Sequence, residues 1–189
     1  MEKLYSNFRG YLKLNIPNIK WILIFGIIFA VLFYLLQVKG YGKQIKGRVA
    51  SILCWGILSL NCSFIYIMTL SGRKTGETHR IDLNPFSSYY VAFAEGNMEI
   101  LLQVLMNIAM YIPLGFLLPC CFRLFEKYRY VIFVTFCGSL VIELIQLVFR
   151  LGLFEVDDVI NNTFGAVIGM VIYMIFKRGK NEHNKQKIS

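Results

Sequence analysis

The sequence predicts an all-α fold, a polytopic membrane helical bundle of about five transmembrane helices. Three observations carry that prediction. Hydrophobic residues make up 57% of the 189-residue chain and charged residues only 16%, against about a quarter charged in ordinary soluble domains. The apolar residues fall into blocks of about twenty, the length that crosses roughly 30 Å of hydrocarbon as a helix. Basic loops at Lys39–Arg48 and Phe122–Arg129 separate blocks on one side, the pattern that sets membrane topology.

The same composition excludes other classes. A net charge of +9 could suggest nucleic acid, but the Lys and Arg are scattered over loops and tails with no aromatic-basic motif among them. They fit topology-setting loops that touch anionic lipid, so the expected partners are membrane lipids and not nucleic acid. The five cysteines (Cys54, Cys62, Cys120, Cys121, Cys137) lie within or at the edges of apolar blocks, where they act as small hydrophobes. Their spacing suggests neither a disulfide framework nor a zinc site. No metal and no cofactor is expected.

In chain order, Met1–Lys20 is a basic mixed segment and Trp21–Val38 the first span. That span lacks a small-residue cleavage site after it and reads as a retained anchor. Lys39–Arg48 is a glycine-spaced basic loop. Val49–Leu70 is the second span, with Ser51, Ser59, Asn61, Ser63 and Thr69 as mild polar groups of the kind that join helices in a bundle. Ser71–Glu99 is the long loop; its Asn84-Pro85 step favours a turn over a helix. Ile100–Cys121 is the third span, expected to be interrupted by Pro113, Gly115 and Pro119. Phe122–Arg129 is a short basic loop, Tyr130–Phe149 the fourth span, Arg150–Asp158 an acidic loop, and Val159–Phe176 the fifth span. In domain terms, 1–48 is a basic segment with the first span, 49–176 the main membrane domain, and 177–189 a basic cytoplasmic tail.

Five spans place the termini on opposite sides. With the C-terminus inside, twelve of the twenty Lys and Arg face the cytoplasm, so the positive-inside rule favours N-terminus outside and C-terminus cytoplasmic. The basic N-terminal segment argues the other way.

That topology brings polar residues to one depth. Glu143 and Gln146 share a face in the fourth span at i, i+3, and Asn107 and Tyr111 share one in the third at i, i+4. Asp157 and Asp158 precede Asn161 and Asn162 at the start of the fifth. A carboxylate at mid-membrane costs roughly 2.5–3.5 kcal/mol, so it usually has a partner and often a task. The convergence suggests a polar pocket facing outward. Each residue also has a plainer reading. Asp157 and Asp158 fit a cap on the fifth helix as well as a ligand role. Glu143 fits an ion pair with Arg150 or Arg80 as well as a functional carboxylate. Asn107 and Gln146 fit interhelical hydrogen bonding. Gly165 and Gly169 form G-x-x-x-G, a packing motif. His79 reads as a surface residue.

Taken together, N-x-x-x-Y-x-P-x-G at Asn107–Gly115, E-x-x-Q at Glu143–Gln146, D-D-x-x-x-N-x-x-G-x-x-x-G at Asp157–Gly169 and R-x-x-x-N-P-F at Arg80–Phe86 resemble the VanZ-like family. The resemblance runs from about Val49 to Phe176 and leaves the first span unmatched. It implies a small multi-pass protein of the bacterial cell membrane, in a family associated with resistance to the glycopeptide teicoplanin. It marks Asn107, Pro113, Gly115, Glu143, Gln146, Asp158, Asn162 and Gly165. The expected binding set is Asn107, Tyr111, Glu143, Gln146, Asp157, Asp158, Asn162 and Arg80.

Two functions follow from these residues. In the first, the protein lowers sensitivity to lipoglycopeptides through the outward polar pocket, binding the antibiotic or a lipid-linked cell-wall precursor. In the second, it is an intramembrane enzyme acting on a lipid headgroup or lipid-linked precursor. Glu143 and Asp158 are then the candidate catalytic residues, Glu143 as general acid or base. Asp157 and Asp158 would hold a hard cation such as Mg²⁺. Transport is a third reading that five spans without a repeat favour less, and that would call for a homo-oligomer.

Overall fold

The computed structural model describes residues 48–71, 73 and 75–186, with nine further helical positions between 24 and 35. Five helices follow in order: α1 (Arg48–Thr69), α2 (Ser87–Ala94), α3 (Met98–Cys121), α4 (Tyr128–Val148) and α5 (Val156–Gln186). Strands β1 (Arg80–Asp82) and β2 (Leu153–Glu155) pair in parallel, Ile81 opposite Phe154. The all-α membrane bundle is therefore the architecture, with this two-stranded patch at one end.

Among the described residues, three helices are long and apolar enough to cross a membrane: α3, α4 and the Val156–Gly179 part of α5. Leu53–Thr69 of α1 is a shorter apolar helix. The expected first span, Trp21–Val38, lies largely outside the described residues, as does most of the 1–48 segment. Exposed apolar side chains such as Phe133 and Val141 on α4 and Phe164 and Ile175 on α5 would be a liability in water; against lipid they are the solvated face.

The boundaries differ from expectation in three places. First, α3 runs unbroken through Pro113 and Pro119. Proline removes one donor and crowds the preceding turn, which a membrane helix tolerates where neighbouring helices pack against it; beside Pro113, Asn61 of α1 donates to the Met110 carbonyl at 3.1 Å. Second, the acidic loop is shorter than expected, because β2 takes Leu153–Glu155 and α5 begins at Val156. Asp157 and Asp158 thus lie in the first helical turn. Third, the 177–189 tail continues α5 as helix to Gln186.

α5 packs most closely on α3, and glycine is the reason. A Cβ on Gly165 would stand 2.1 Å from the Ile108 carbonyl oxygen, one on Gly169 2.0 Å from that of Ile112, and one on Gly115 2.0 Å from that of Ala166. Backbone meets backbone on both sides of the seam. α1 covers α3 elsewhere, with Trp55 edge-on to Phe122 at 4.9 Å and Leu58, Ile65 and Met68 buried. The hydroxyls expected to join α1 to its neighbours serve its own backbone instead. Ser59, Ser63 and Thr69 each donate to the carbonyl four residues back at 2.8 Å, the usual helix-interior choice for these residues. Ser51's side chain lies outside the described residues.

α4 ends in a Schellman turn: Arg150 N–H donates to Leu147 at 3.2 Å and Leu151 N–H to Gln146 at 2.8 Å, with Arg150 left-handed at φ 53°. That turn sends the chain back along the bundle end into β2.

Candidate functional site

The last turns of α1 and α4 and the first turns of α3 and α5 meet at one end of the bundle, beneath β1, β2 and α2. Glu143 and Gln146 are 1% exposed there, and Asn162 is 2% exposed. Glu143 accepts the Glu155 N–H on Oε2 at 3.1 Å. Gln146 donates from Nε2 to the Thr69 carbonyl at 2.9 Å, tying α4 to α1. Asp158 accepts from Asn107 Nδ2 at 2.5 Å, tying α5 to α3. One turn further, Asn162 donates to the Ser139 hydroxyl at 2.8 Å, and the buried Tyr111 hydroxyl reaches the same serine. Asn107, Tyr111, Glu143, Gln146, Asp158 and Asn162 thus form one buried polar layer drawn from three helices.

Asp157 and Arg80 stand outside that layer. Asp157 is a helix cap, but for α2 and not for its own helix. Its carboxylate accepts the N–H groups of Phe86 at 2.6 Å and Ser88 at 2.8 Å. Phe86, the N-cap of α2, has φ 69° and makes no side-chain cap of its own. A left-handed aromatic residue costs of order 1–2 kcal/mol, so the distant carboxylate holds both the strained residue and the orphan amides. Tyr89 adds a second tie through its hydroxyl to Asn161. Arg80 is exposed on β1, where its partner is Leu153 across the strands.

Neither Arg80 nor Arg150 pairs with Glu143. Arg150 donates from Nε to His79 Nε2 at 3.2 Å, while His79 Nδ1 bonds the Leu147 carbonyl at 2.8 Å. The exposed His79 is thus a clasp between the long loop and the end of α4, its proton on Nδ1. The cation whose field acts on Glu143, Glu155 and Asp158 is Arg73. A Cβ on Gly152 would lie 2.6 Å from Arg73 Nη1 and 3.8 Å from Gln146 Oε1. Glycine at 152 is the notch that lets the guanidinium lie over the site.

Four participants escaped sequence reading. Gln103 donates to Glu155 Oε2 at 2.9 Å and also bonds Asp158, so it bridges two carboxylates. Its signal was its place one turn before Asn107 on the same face. Ser139 likewise lies one turn before Glu143. Glu155 and Arg73 had no periodic signal, because both lie between helices. Burial pushes the Glu155 carboxyl up, opposed by its bond from Gln103. On the surface beside it, Ser87 and the Asn84 N–H hold the Asp82 carboxyl below its ordinary value.

Gln146 Oε1, Asn161 Nδ2 and Asn162 Oδ1 are buried and have no hydrogen-bond partner among the described residues. Buried amides usually satisfy every group, so this layer holds unspent capacity. No group of three His, Cys, Asp or Glu residues among the described residues is arranged to hold a metal ion. Beside the polar layer lies a cavity of about 310 Å³ between α1, α3 and α4. Its lining is apolar, including Ile65, Leu70, Leu114 and Ile142, and Tyr111 belongs to both layer and cavity. An open polar pocket was expected; these residues form a closed polar layer beside an apolar cavity.

No solved structure matches the chain. A curated relative, protein VanZ of Enterococcus faecium, is 31% identical over 110 residues, which cover 57% of this chain and 58% of the relative. The chain therefore aligns with less than two thirds of that protein. The profile of the VanZ/LLP1 family matches residues 48–177, the whole span from α1 into the end of the membrane part of α5, and the chain belongs to that family.

Proposed function

We propose that this membrane protein lowers sensitivity to lipoglycopeptide antibiotics such as teicoplanin, by binding the antibiotic or a lipid-linked cell-wall precursor at the loop end of the bundle. In this reading the N-terminus is outside and the C-terminus cytoplasmic, which puts that end at the outer leaflet. The observation that carries it is the polar layer itself. Six side chains from three helices are buried together at high cost, and two of them, Gln146 at Oε1 and Asn162 at Oδ1, have no hydrogen-bond partner there among the described residues. Packing alone would be served better by apolar groups of the same volume. Family membership and the likeness to protein VanZ support the antibiotic class. An intramembrane enzyme is the second reading, favoured by the two carboxyls, Glu143 and Asp158, buried in one layer.

The test is antibiotic susceptibility of a sensitive Gram-positive host expressing the protein or an empty vector. Protection against teicoplanin with little against vancomycin, which has no acyl tail, is the expected result. Equal protection against both contradicts a mechanism that depends on the tail. No protection, with membrane expression confirmed, removes the reading and leaves the enzyme to be tested by lipid analysis with and without Mg²⁺.

A further inference from the structure

The apolar cavity has a direction. Leu70, Tyr111 and Ile142 line its loop end, and Cys62, Leu118 and Val134 the other. Between Cys62 and Leu70 the rise of α1 makes it about 12 Å long. α1 and α4 flank it and α3 forms its floor. It runs along the membrane normal, inside segments that are surrounded by acyl chains.

Its loop end is polar. Thr69, next to Leu70, accepts the Gln146 bond, and one turn before Gln146 is Ile142 of the lining. Gln146 Oε1, buried and without a hydrogen-bond partner among the described residues, and Arg73 Nη1 both lie near Gly152. Arg73 is exposed and forms no direct ion pair among the described residues. The carboxylates it acts on are held from behind by Glu155 N–H, Gln103 and Asn107. The guanidinium lies over Gly152 on the exposed side of these carboxylates' loop. A planar guanidinium suits phosphate, and cations at the boundary recognise anionic headgroups.

We propose that the slot between α1 and α4 holds one acyl chain of a membrane lipid whose anionic phosphate headgroup is bound by Arg73, with Gln146 accepting from a headgroup hydroxyl. This shares the loop end of the bundle with the resistance reading but does not rest on it: its observations are the cavity and the Arg73 guanidinium near its end. A volume of about 310 Å³ is at the small end of ligand cavities, which fits one chain and not a whole lipid.

Gly138 supplies a clean block. It lines the cavity, and a Cβ there would meet nothing within 4 Å. Gly138→Leu therefore fills the slot without displacing backbone. The experiment is native mass spectrometry of the full-length protein in detergent, with added phosphatidylglycerol and, separately, diacylglycerol. Wild type is expected to retain one phosphatidylglycerol per chain. Retention should weaken about tenfold or more in Gly138→Leu. Arg73→Gln should weaken phosphatidylglycerol and leave diacylglycerol unchanged. Equal retention by wild type and Gly138→Leu overturns the slot. Equal retention of the two lipids by wild type overturns the phosphate contact. Teicoplanin displacing the retained lipid from wild type but not binding Arg73→Gln would make the antibiotic the occupant and overturn the lipid assignment. A second measurement needs no variant: phosphatidylglycerol with a photoreactive chain terminus should label wild type at residues around Leu118 and Val134. Labels spread over the outward faces, at Phe133, Val141 and Ile175, contradict the proposal.

Discussion

Asp157 shows how much one residue can decide. It sits in the first turn of α5, yet its two strongest bonds go to amides 69 and 71 residues earlier in the chain. Removing an acceptor that satisfies two amides costs about 1–2 kcal/mol. Asp157→Ala should therefore lower thermal stability by that amount and expose residues 84–90 to protease well before global unfolding. Unchanged cleavage there would mean that Phe86 holds its left-handed conformation unaided. Asp82 makes a pH prediction in the same segment. Its folded carboxyl is held below the ordinary value by Ser87 and Asn84. Its contribution is therefore present above about pH 4 and is lost as pH falls through the lower folded value. Corrected hydrogen exchange at Asn84 should accelerate on acidification below pH 4, and Asp82→Asn should remove that pH step. At this scale the sequence was readable in kind more than in detail. The cap role of Asp157 was visible from its type and place, but the helix it caps was not, since only the fold brings residue 86 to residue 157. The counter-charge was misread for the same reason. Arg150 and Arg80 are neighbours of the acidic run or the motif in sequence, whereas Arg73 arrives through a notch at Gly152.

At the scale of elements, the α3–α5 seam carries the bundle. Gly165→Ala or Gly169→Ala puts a methyl about 2 Å from a carbonyl oxygen, too close for any rotamer to relieve, and overpacking of this kind costs about 1–3 kcal/mol or more. Gly138→Ala is the control on a neighbouring helix. It meets nothing within 4 Å and gains up to about 1 kcal/mol of helix propensity. Melting in detergent should separate them, the first pair falling and the control holding or rising. If Gly165→Ala is neutral, the seam is looser than described. Here the sequence was legible in advance, because G-x-x-x-G and twenty-residue apolar blocks are patterns of period and length. The prolines in α3 were misleading. Their effect depends on how neighbouring helices pack against them, and the Asn61 bond to the Met110 carbonyl beside Pro113 is a contact between helices that no local rule foresees. The early start of α5 at Val156 was hidden by the charges of Asp157 and Asp158, which look like loop residues until Asn107 and the α2 amides are seen to receive them.

For the whole molecule, the fold class and the convergence of polar residues could be read from the chain, while the shape of the space they enclose could not. Period and spacing put Glu143 with Gln146 and Asn107 with Tyr111; they say nothing of whether the gap between helices is polar or greasy. The orientation is also a whole-molecule claim. Reporter fusions at the C-terminus should be active only as cytoplasmic markers, and an extracellular signal there would put the polar layer at the inner leaflet. The central claim is that the polar layer, and not the bundle as such, carries the function. The most direct measurement compares teicoplanin susceptibility for wild type, Glu143→Gln and Asp158→Asn at matched membrane levels. Each change keeps shape and replaces a carboxyl with an amide. Loss of protection in both variants with normal insertion is the predicted result, and full protection in both would contradict the account.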